Sequence, residues 1–194
     1  MCIRDRCWVT PPPTSTTAAA LHPLVHENVS DFGAQRFRSV FSGAEWFFAD
    51  HRVGGVGVLP GAAVVELARV AGALSGGRDV CEVGDLRWLW AVRNGDGAGI
   101  EVSLVPDVDG GGAGFEVRDG DGTLCADGRL VLADGDDAPA PDAVDVGAVR
   151  ARCAGTMGAG EVYGDEPDDG VWCGPALRTV REVCLLYTSD AADE

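Results

Sequence analysis

A histidine followed by a glycine-rich turn and a proline is the group of residues in this sequence best suited to chemistry. Gly55 and Pro60 follow His51, and an apolar stretch from Gly61 to Leu74 comes next. A neutral imidazole between apolar walls is a good general base near neutral pH. The first N–H groups of a helix lack partners within it and can bind a polarised carbonyl. The pattern therefore predicts a base and a carbonyl anchor, as removal of a proton beside a thioester carbonyl requires.

The same residues resemble the first motif of the dehydratase domain of modular polyketide synthases, H-x-x-x-G-x-x-x-x-P. A later stretch, 170–177, resembles the family's second block, G-x-x-Y-G-P-x-F, with Cys173 in place of its Tyr and Leu177 in place of its Phe. These two departures put the shape of the substrate tunnel and the activity of the parent protein in question. The resemblance extends from about Leu21 to Val183.

The resemblance implies a lyase that removes water from a 3-hydroxyacyl chain on an acyl carrier protein and gives a 2-enoyl thioester. His51 corresponds to the family's proton acceptor. The proton donor is an aspartate in a D-x-x-x-Q/H motif downstream of the second block, and we expect this sequence to lack it and to be inactive alone. The implied substrate-binding residues are Gly55, Leu59, Pro60, Gly61, Cys173, Gly174 and Pro175.

Hydrophobic periodicity predicts the elements that position these residues. Apolar residues lie around most of the stretch 61–74, which predicts a buried helix ending at Gly76 and Gly77. Alternating apolar residues follow, separated by Asp/Gly turns, and predict an antiparallel meander. One buried helix followed by such a meander is typical of the hotdog fold. We therefore predict an α+β hotdog, the N-terminal half of a double hotdog, with the truncated start of the second.

Both ends of the sequence look foreign to the fold. Met1–Arg6 and Cys184–Glu194 can be back-translated into opposite strands of one transposon-type sequencing adapter. The predicted organisation begins with an adapter-derived end (1–6) and a linker (7–20), followed by the N-terminal hotdog (21–133). A second linker (134–146) leads to the truncated start of the C-terminal hotdog (147–183) and a second adapter-derived end (184–194). We expect both ends to pack poorly.

Composition narrows the range of partners. The net charge is −16 and all fifteen basic residues are arginine, which argues against nucleic acid and against a lysine-dependent phosphate loop. No apolar run approaches the ~20 residues that span a bilayer, and we expect a cytoplasmic protein. The partners implied by the resemblance are an acyl carrier protein, neighbouring synthase domains and a second copy in a parent homodimer. We expect no directly bound cofactor, since the substrate arrives on the carrier's phosphopantetheine.

Other patterns have simpler explanations. The cysteines form no C-x-x-C pair, and Pro23 disrupts the helix that a metal site at His22 and His26 would need, so we expect no metal. Trp88 and Trp90 alternate with their neighbours, which predicts core residues. Asp50 could tune His51, and Glu66 could orient a catalytic group, although a rim position suits Glu66 better.

Two other functional classes remain open. A hotdog thioesterase would need a carboxylate or a water-activating group near the helix, and a non-catalytic hotdog would serve as a scaffold within a megasynthase. An intact D-x-x-x-Q/H motif downstream would favour catalysis, and a degenerate one would favour scaffolding. These residues do not indicate the chain length of the substrate, the stereochemistry of its hydroxyl or the module of origin.

Overall fold

The computed structural model describes residues 20–95, 99–133, 143–164 and 170–185. The elements in chain order are β1 (Glu27–Asn28), β2 (Gln35–Val40), α1 (Trp46–Asp50), β3 (His51–Val53), β4 (Val56–Gly57), α2 (Gly61–Gly76), β5 (Val80–Trp88), β6 (Gly99–Pro106), β7 (Gly112–Asp119), β8 (Leu124–Leu132), α3 (Val146–Ala151), β9 (Gly155–Gly158), α4 (Ala159–Tyr163), β10 (Val171–Cys173), a 3₁₀ turn (Pro175–Leu177) and β11 (Glu182–Leu185).

The main body is a six-stranded antiparallel sheet packed against α2. Its strand order is β1-β2-β6-β7-β8-β5, so the meander β6-β7-β8 lies at the centre and β5 forms one edge. Period-2 alternation places Val102, Val117 and Leu130 in the core, where each is at most 1% exposed. The predicted α+β hotdog architecture is confirmed.

Helix α2 is the central helix that the sequence predicts. It begins at Gly61 and continues to Gly76, two residues beyond the predicted Leu74. Its buried side chains include Val64, Leu67 and Ala68, which pack with the inward residues of the sheet. Full burial of a leucine stabilises a fold by about 1.5–3 kcal/mol, so this helix is held by packing more than by local propensity.

Two small sheets extend from this body. The hairpin β3–β4 pairs with β10 in the order β10-β3-β4, and β9 pairs with β11. The short helix α1 leads directly into β3 and buries Phe47 and Phe48 beside Phe41, with ring centroids 5.5 and 5.8 Å from that ring. This aromatic cluster fixes the start of β3, and therefore the position of His51, on the body.

The prediction that Trp88 and Trp90 are core residues is wrong. Their exposed fractions are 60% and 70%. Strand β5 ends at Trp88, and the N–H groups of Leu89 and Trp90 both donate to the carbonyl of Cys125, at 2.8 and 3.1 Å. The alternation is interrupted at this shared carbonyl, and β5 is an edge strand of the described sheet, so both indoles remain largely exposed at this edge.

Two residues of the C-terminal end that we expect to pack poorly, Cys184 and Leu185, join a strand of the described structure, and Leu185 is still 38% exposed. Both lie in β11, opposite Thr156 and Gly155 of β9. Backbone pairing of this kind depends little on side-chain identity, which is why the sequence pattern did not reveal it. Residues 1–6 and 186–194, and the linker residues 134–142, lie outside the described residues. Within the described part of the chain, no helix is long and apolar enough to cross a membrane.

Candidate active site

The imidazole of His51 is fixed by Val58. Its Nδ1 lies 2.8 Å from the Val58 carbonyl oxygen, and the Val58 N–H donates to the His51 carbonyl at 2.9 Å. A carbonyl can only accept a hydrogen bond, so Nδ1 carries the proton of the neutral ring in this contact. The lone pair of that ring is therefore on Nε2, and Nε2 is the atom able to take a proton from a substrate.

A two-residue turn brings Val58 back to His51. Gly54 and Gly55 have φ angles of +56° and +74°, which together match a type I′ hairpin turn. Val53 and Val56 pair on either side of the turn. A side chain at Gly55 would be strained at this φ, which gives a physical reason for glycine at the fourth position after the histidine.

His51 borders a mostly apolar pocket of about 460 Å³. This volume lies within the range of small-molecule sites. The pocket is lined by His51, Val58, Leu59, Gly61, Val64, Trp88, Leu89, Trp90, Ala91, Val92 and Cys125. Sequence reasoning had named His51, Leu59 and Gly61 and had missed the two tryptophans and Cys125. Burial is the main cause that raises the pKa of the Cys125 thiol, so this residue acts as part of an apolar wall.

A larger hollow of about 710 Å³ lies elsewhere on the sheet. Most of its charged side chains are already engaged, since Arg87 donates to Asp127 and Arg129 donates to Asp107. It contains no histidine. The smaller pocket, which joins an imidazole to apolar walls, is the better candidate for chemistry.

The N-terminus of α2 opens onto the same pocket. Pro60 caps the helix, and its carbonyl accepts from the N–H groups of Ala63 and Val64 at 2.9 and 3.3 Å. Among the described residues, the N–H groups of Gly61 and Ala62 have no protein acceptor. These two N–H groups are the ones that the predicted carbonyl anchor would use to bind a ligand oxygen. Pro60 and Gly55 shape this region without lining the pocket.

The second motif block is joined to the first through β10. Cys173 lies opposite His51 in the antiparallel ladder. Directly opposed residues project from the same face of a sheet, so the thiol and the imidazole share a face. The Gly174 N–H donates to the Asp50 carbonyl at 2.7 Å, and the Ala176 N–H donates to the Asp50 Oδ2 at 2.8 Å. Cys173, Gly174 and Pro175 are thus beside the base, although they do not line the pocket.

Two carboxylates considered from the sequence are committed to other partners. Asp50 accepts from Ala176, and no hydrogen bond joins it to the His51 ring within the described residues. Glu66 accepts from Arg69 at 2.7 and 2.8 Å, and this hydrogen bond holds the pKa of the Glu66 carboxyl below its ordinary value. Glu66 therefore occupies a salt-bridged rim position. No cluster of His, Cys, Asp and Glu suited to a metal ion occurs in the part of the chain that the structure covers.

Comparisons with known proteins find one family. Residues 22–119 match the family model described as "Polyketide synthase dehydratase domain". Polyketide synthase PksM of Bacillus subtilis is 38% identical over 145 residues, covering 68% of this chain, and ThaG of Burkholderia thailandensis is 36% identical over 198 residues, covering 93%. The chain spans only 3% of the length of each.

Solved structures of single domains from such synthases also resemble this chain. A trans-AT polyketide synthase dehydratase domain from Brevibacillus brevis superposes with a TM-score of 0.71 at 29% identity, over 86% of this chain and 61% of that one. A pyran synthase domain from module nine of the sorangicin pathway has a TM-score of 0.61 at 33% identity, over 74% of this chain and 53% of that one.

Proposed function

The chain belongs to the polyketide synthase dehydratase family, and from this we propose that it takes part in removing water from a 3-hydroxyacyl thioester. The substrate is carried on the phosphopantetheine of an acyl carrier protein, and the product is the 2-enoyl thioester. One observation carries the proposal. The Val58 carbonyl holds Nδ1 of His51 as a donor, which leaves Nε2 as a base in an apolar pocket beside a helix N-terminus.

In the proposed reaction, Nε2 of His51 takes the proton from the carbon next to the thioester carbonyl. The carbonyl oxygen accepts hydrogen bonds from the free N–H groups of Gly61 and Ala62, which stabilise the negative charge that develops there. The electron pair of the broken C–H bond forms the C=C bond, and the C–O bond of the 3-hydroxyl breaks. Hydroxide is a poor leaving group, so an acid must protonate this oxygen as it departs, giving water.

We propose that this acid is not among the described residues. The two carboxylates that the sequence suggested near the base are engaged, Asp50 with Ala176 and Glu66 with Arg69. The chain spans 61% of the Brevibacillus brevis domain, and we assign the proton donor to the part of such a domain that lies beyond this similarity. On this assignment the chain alone does not complete the reaction.

The remaining site residues take three proposed roles. Leu59 and Gly61 contact the acyl chain and the thioester directly, because they line the pocket. Gly55 and Pro60 shape the turn and the helix start that hold these contacts. Cys173, Gly174 and Pro175 border the substrate from the side of β10. In the parent protein the partners are an acyl carrier protein, neighbouring synthase domains and a second copy, with no resident cofactor.

A chimera tests the proposal. Residues 20–185 would be continued with the part of the Brevibacillus brevis domain that the chain does not span, and supplied with a 3-hydroxyacyl carrier protein. We expect the 2-enoyl product by mass spectrometry, and loss of about 10²–10⁴ in rate for His51→Ala. His22→Gln, at another half-buried histidine, should keep the rate. Release of a free carboxylic acid would favour a thioesterase, and a folded chimera in which His51→Ala changes nothing would overturn the proposal.

A further inference from the structure

The geometry points to Asp50 as a positioning residue that clamps the second motif block, residues 170–177, beside His51. The inference rests on the proposed function in one respect, namely that His51 is the base. Asp50 is the last residue of α1 and directly precedes the base. It uses both its backbone and its side chain on the same partner segment, through the bonds to Gly174 and Ala176.

The carboxylate of Asp50 supplies a cap that the 3₁₀ turn cannot supply itself. The capping position of this turn is Gly174, which has no side chain to accept a hydrogen bond. Pro175 follows and has no N–H, so the first N–H of the turn belongs to Ala176. Asp50, 126 residues away in the sequence, accepts this N–H at 2.8 Å. A long-range contact thus replaces the local cap that Ser, Thr, Asp or Asn usually provides.

The same contact explains why glycine stands at 174. A Cβ atom at this position would meet the Asp50 carboxylate first, and it would also lie 2.9 Å from the Asp50 Cα, a distance that real Cβ atoms essentially never show. The carboxylate could turn away, but the Asp50 Cα is backbone and cannot move aside as a flexible side chain would. Gly174 and Pro175 therefore form a surface that fits Asp50, with one residue removing a steric conflict and the next leaving a single N–H to be capped.

The clamp matters because few other contacts hold this stretch in place. Gly174 is the only buried residue between 170 and 185. Besides the three-residue ladder of β10, the Tyr163 hydroxyl donates to the Leu177 carbonyl at 3.4 Å, and the Arg52 guanidinium lies 5.9 Å from the Trp172 ring. The hydrogen bond from the Arg178 Nε to the Cys173 carbonyl, at 2.7 Å, lies within the segment itself. Loss of the Asp50 cap should loosen the 3₁₀ turn and β10, and move Cys173 away from the face that it shares with His51.

The test compares Asp50→Ala, Asp50→Asn and Asp145→Ala in the full 194-residue chain by NMR. Asp145 is a matched control, because its Oδ1 caps α3 by accepting the Ala148 N–H at 2.9 Å. The two readouts are the exchange rates of the Gly174 and Ala176 amides and the ring resonances of His51. Neither readout depends on turnover, so failure of the proposed reaction would not be mistaken for failure of the clamp.

We expect Asp50→Ala to speed exchange of both amides about tenfold, as loss of a helical cap does, and to shift the His51 ring resonances while those of His22 and His26 stay in place. Asp50→Asn keeps a neutral acceptor and should remain within about threefold of the original chain. Asp145→Ala should change neither readout. Unchanged exchange in Asp50→Ala would overturn the inference, and so would faster exchange with an unmoved His51. Should Asp50→Ala fail to fold, Asp50→Lys takes its place, because a lysine side chain has no hydrogen-bond acceptor. Unchanged amide exchange and unchanged His51 ring resonances in Asp50→Lys would then overturn the inference.

Discussion

The sheet–helix body and the C-terminal segment, residues 170–185, are held together by different forces. In the body, formed by the six-stranded sheet and α2, Phe37, Leu67 and Ile100 are each 1% exposed. In the segment only Gly174 is buried, and its contacts are backbone ladders and single polar bonds. Apolar burial stabilises the body by many small additive contacts, whereas the segment depends on a few directional ones.

This difference bears on the base itself, because His51 lies between the two regions. On one side Val58 fixes the imidazole through the hairpin, and on the other Cys173 pairs with the backbone of the same residue. The two departures from the family's second block, Cys173 and Leu177, both fall in the C-terminal segment. We infer that the orientation of the base is set by the body and that its surroundings are adjusted by the segment.

The largest effect should come from the core of the body. Leu67→Ala removes a fully buried side chain of α2 and should lower the free energy of unfolding by about 2–5 kcal/mol, measured by urea denaturation. Leu74→Ala on the same helix is the matched control, because Leu74 is 45% exposed and should cost far less. Equal losses for the two variants would mean that burial does not dominate the body.

Gly174→Ala should have a smaller and more local effect. The added Cβ meets the Asp50 backbone, and overpacking of this kind costs about 1–3 kcal/mol. We expect faster amide exchange in residues 171–177 and unchanged exchange in β6, β7 and β8. Faster exchange throughout the sheet would show that the segment and the body unfold as one unit, and that the distinction drawn between them is wrong.

A residue of the pocket wall should affect ligand binding without affecting the free energy of unfolding. Trp90 is 70% exposed, so Trp90→Ala should leave the free energy of unfolding within ~0.5 kcal/mol. It should weaken binding of an acyl-pantetheine thioester by about 0.5–1.5 kcal/mol, measured by NMR titration, because an aromatic contact is lost. Trp46→Ala serves as control, since Trp46 is 58% exposed and does not line the pocket. Equal weakening in both variants would contradict the assignment of Trp90 to the site.

The smallest expected effect depends on pH. The hydrogen bond from Arg69 holds the pKa of Glu66 below its ordinary value, so the pair stabilises the folded chain above the unfolded-state pKa of about 4.3. That contribution is lost as the pH falls through the lower folded-state pKa. Both side chains are more than a third exposed, so solvent screening limits the pair to roughly 0.3–0.5 kcal/mol. Arg69→Met should therefore destabilise the chain slightly at pH 7 and not at all at pH values below that folded-state pKa. A difference that persists there would reflect packing alone.

Local patterns predicted the body and failed where the chain makes distant contacts. Helix α2 and the meander follow from apolar periodicity, because burial repeats every few residues. The exposure of Trp88 and Trp90 could not be predicted, since it depends on the edge position of β5 and on a carbonyl shared at Cys125. The role of Asp50 was equally hidden, because its partner Ala176 lies 126 residues away. The motif spacing did locate His51 and Gly61, which line one pocket.

The protonation pattern of the three histidines tests the central claim most directly. His22 and His26 accept backbone N–H groups at Nδ1, from Leu24 at 3.2 Å and Val40 at 3.1 Å, whereas Nδ1 of His51 faces the Val58 carbonyl. In ¹⁵N NMR spectra of the full chain at about pH 8, where an ordinary imidazole is neutral, we predict a proton on Nδ1 for His51 and on Nε2 for the other two. A His51 ring protonated on Nε2 would leave the pocket without its base and would contradict the account.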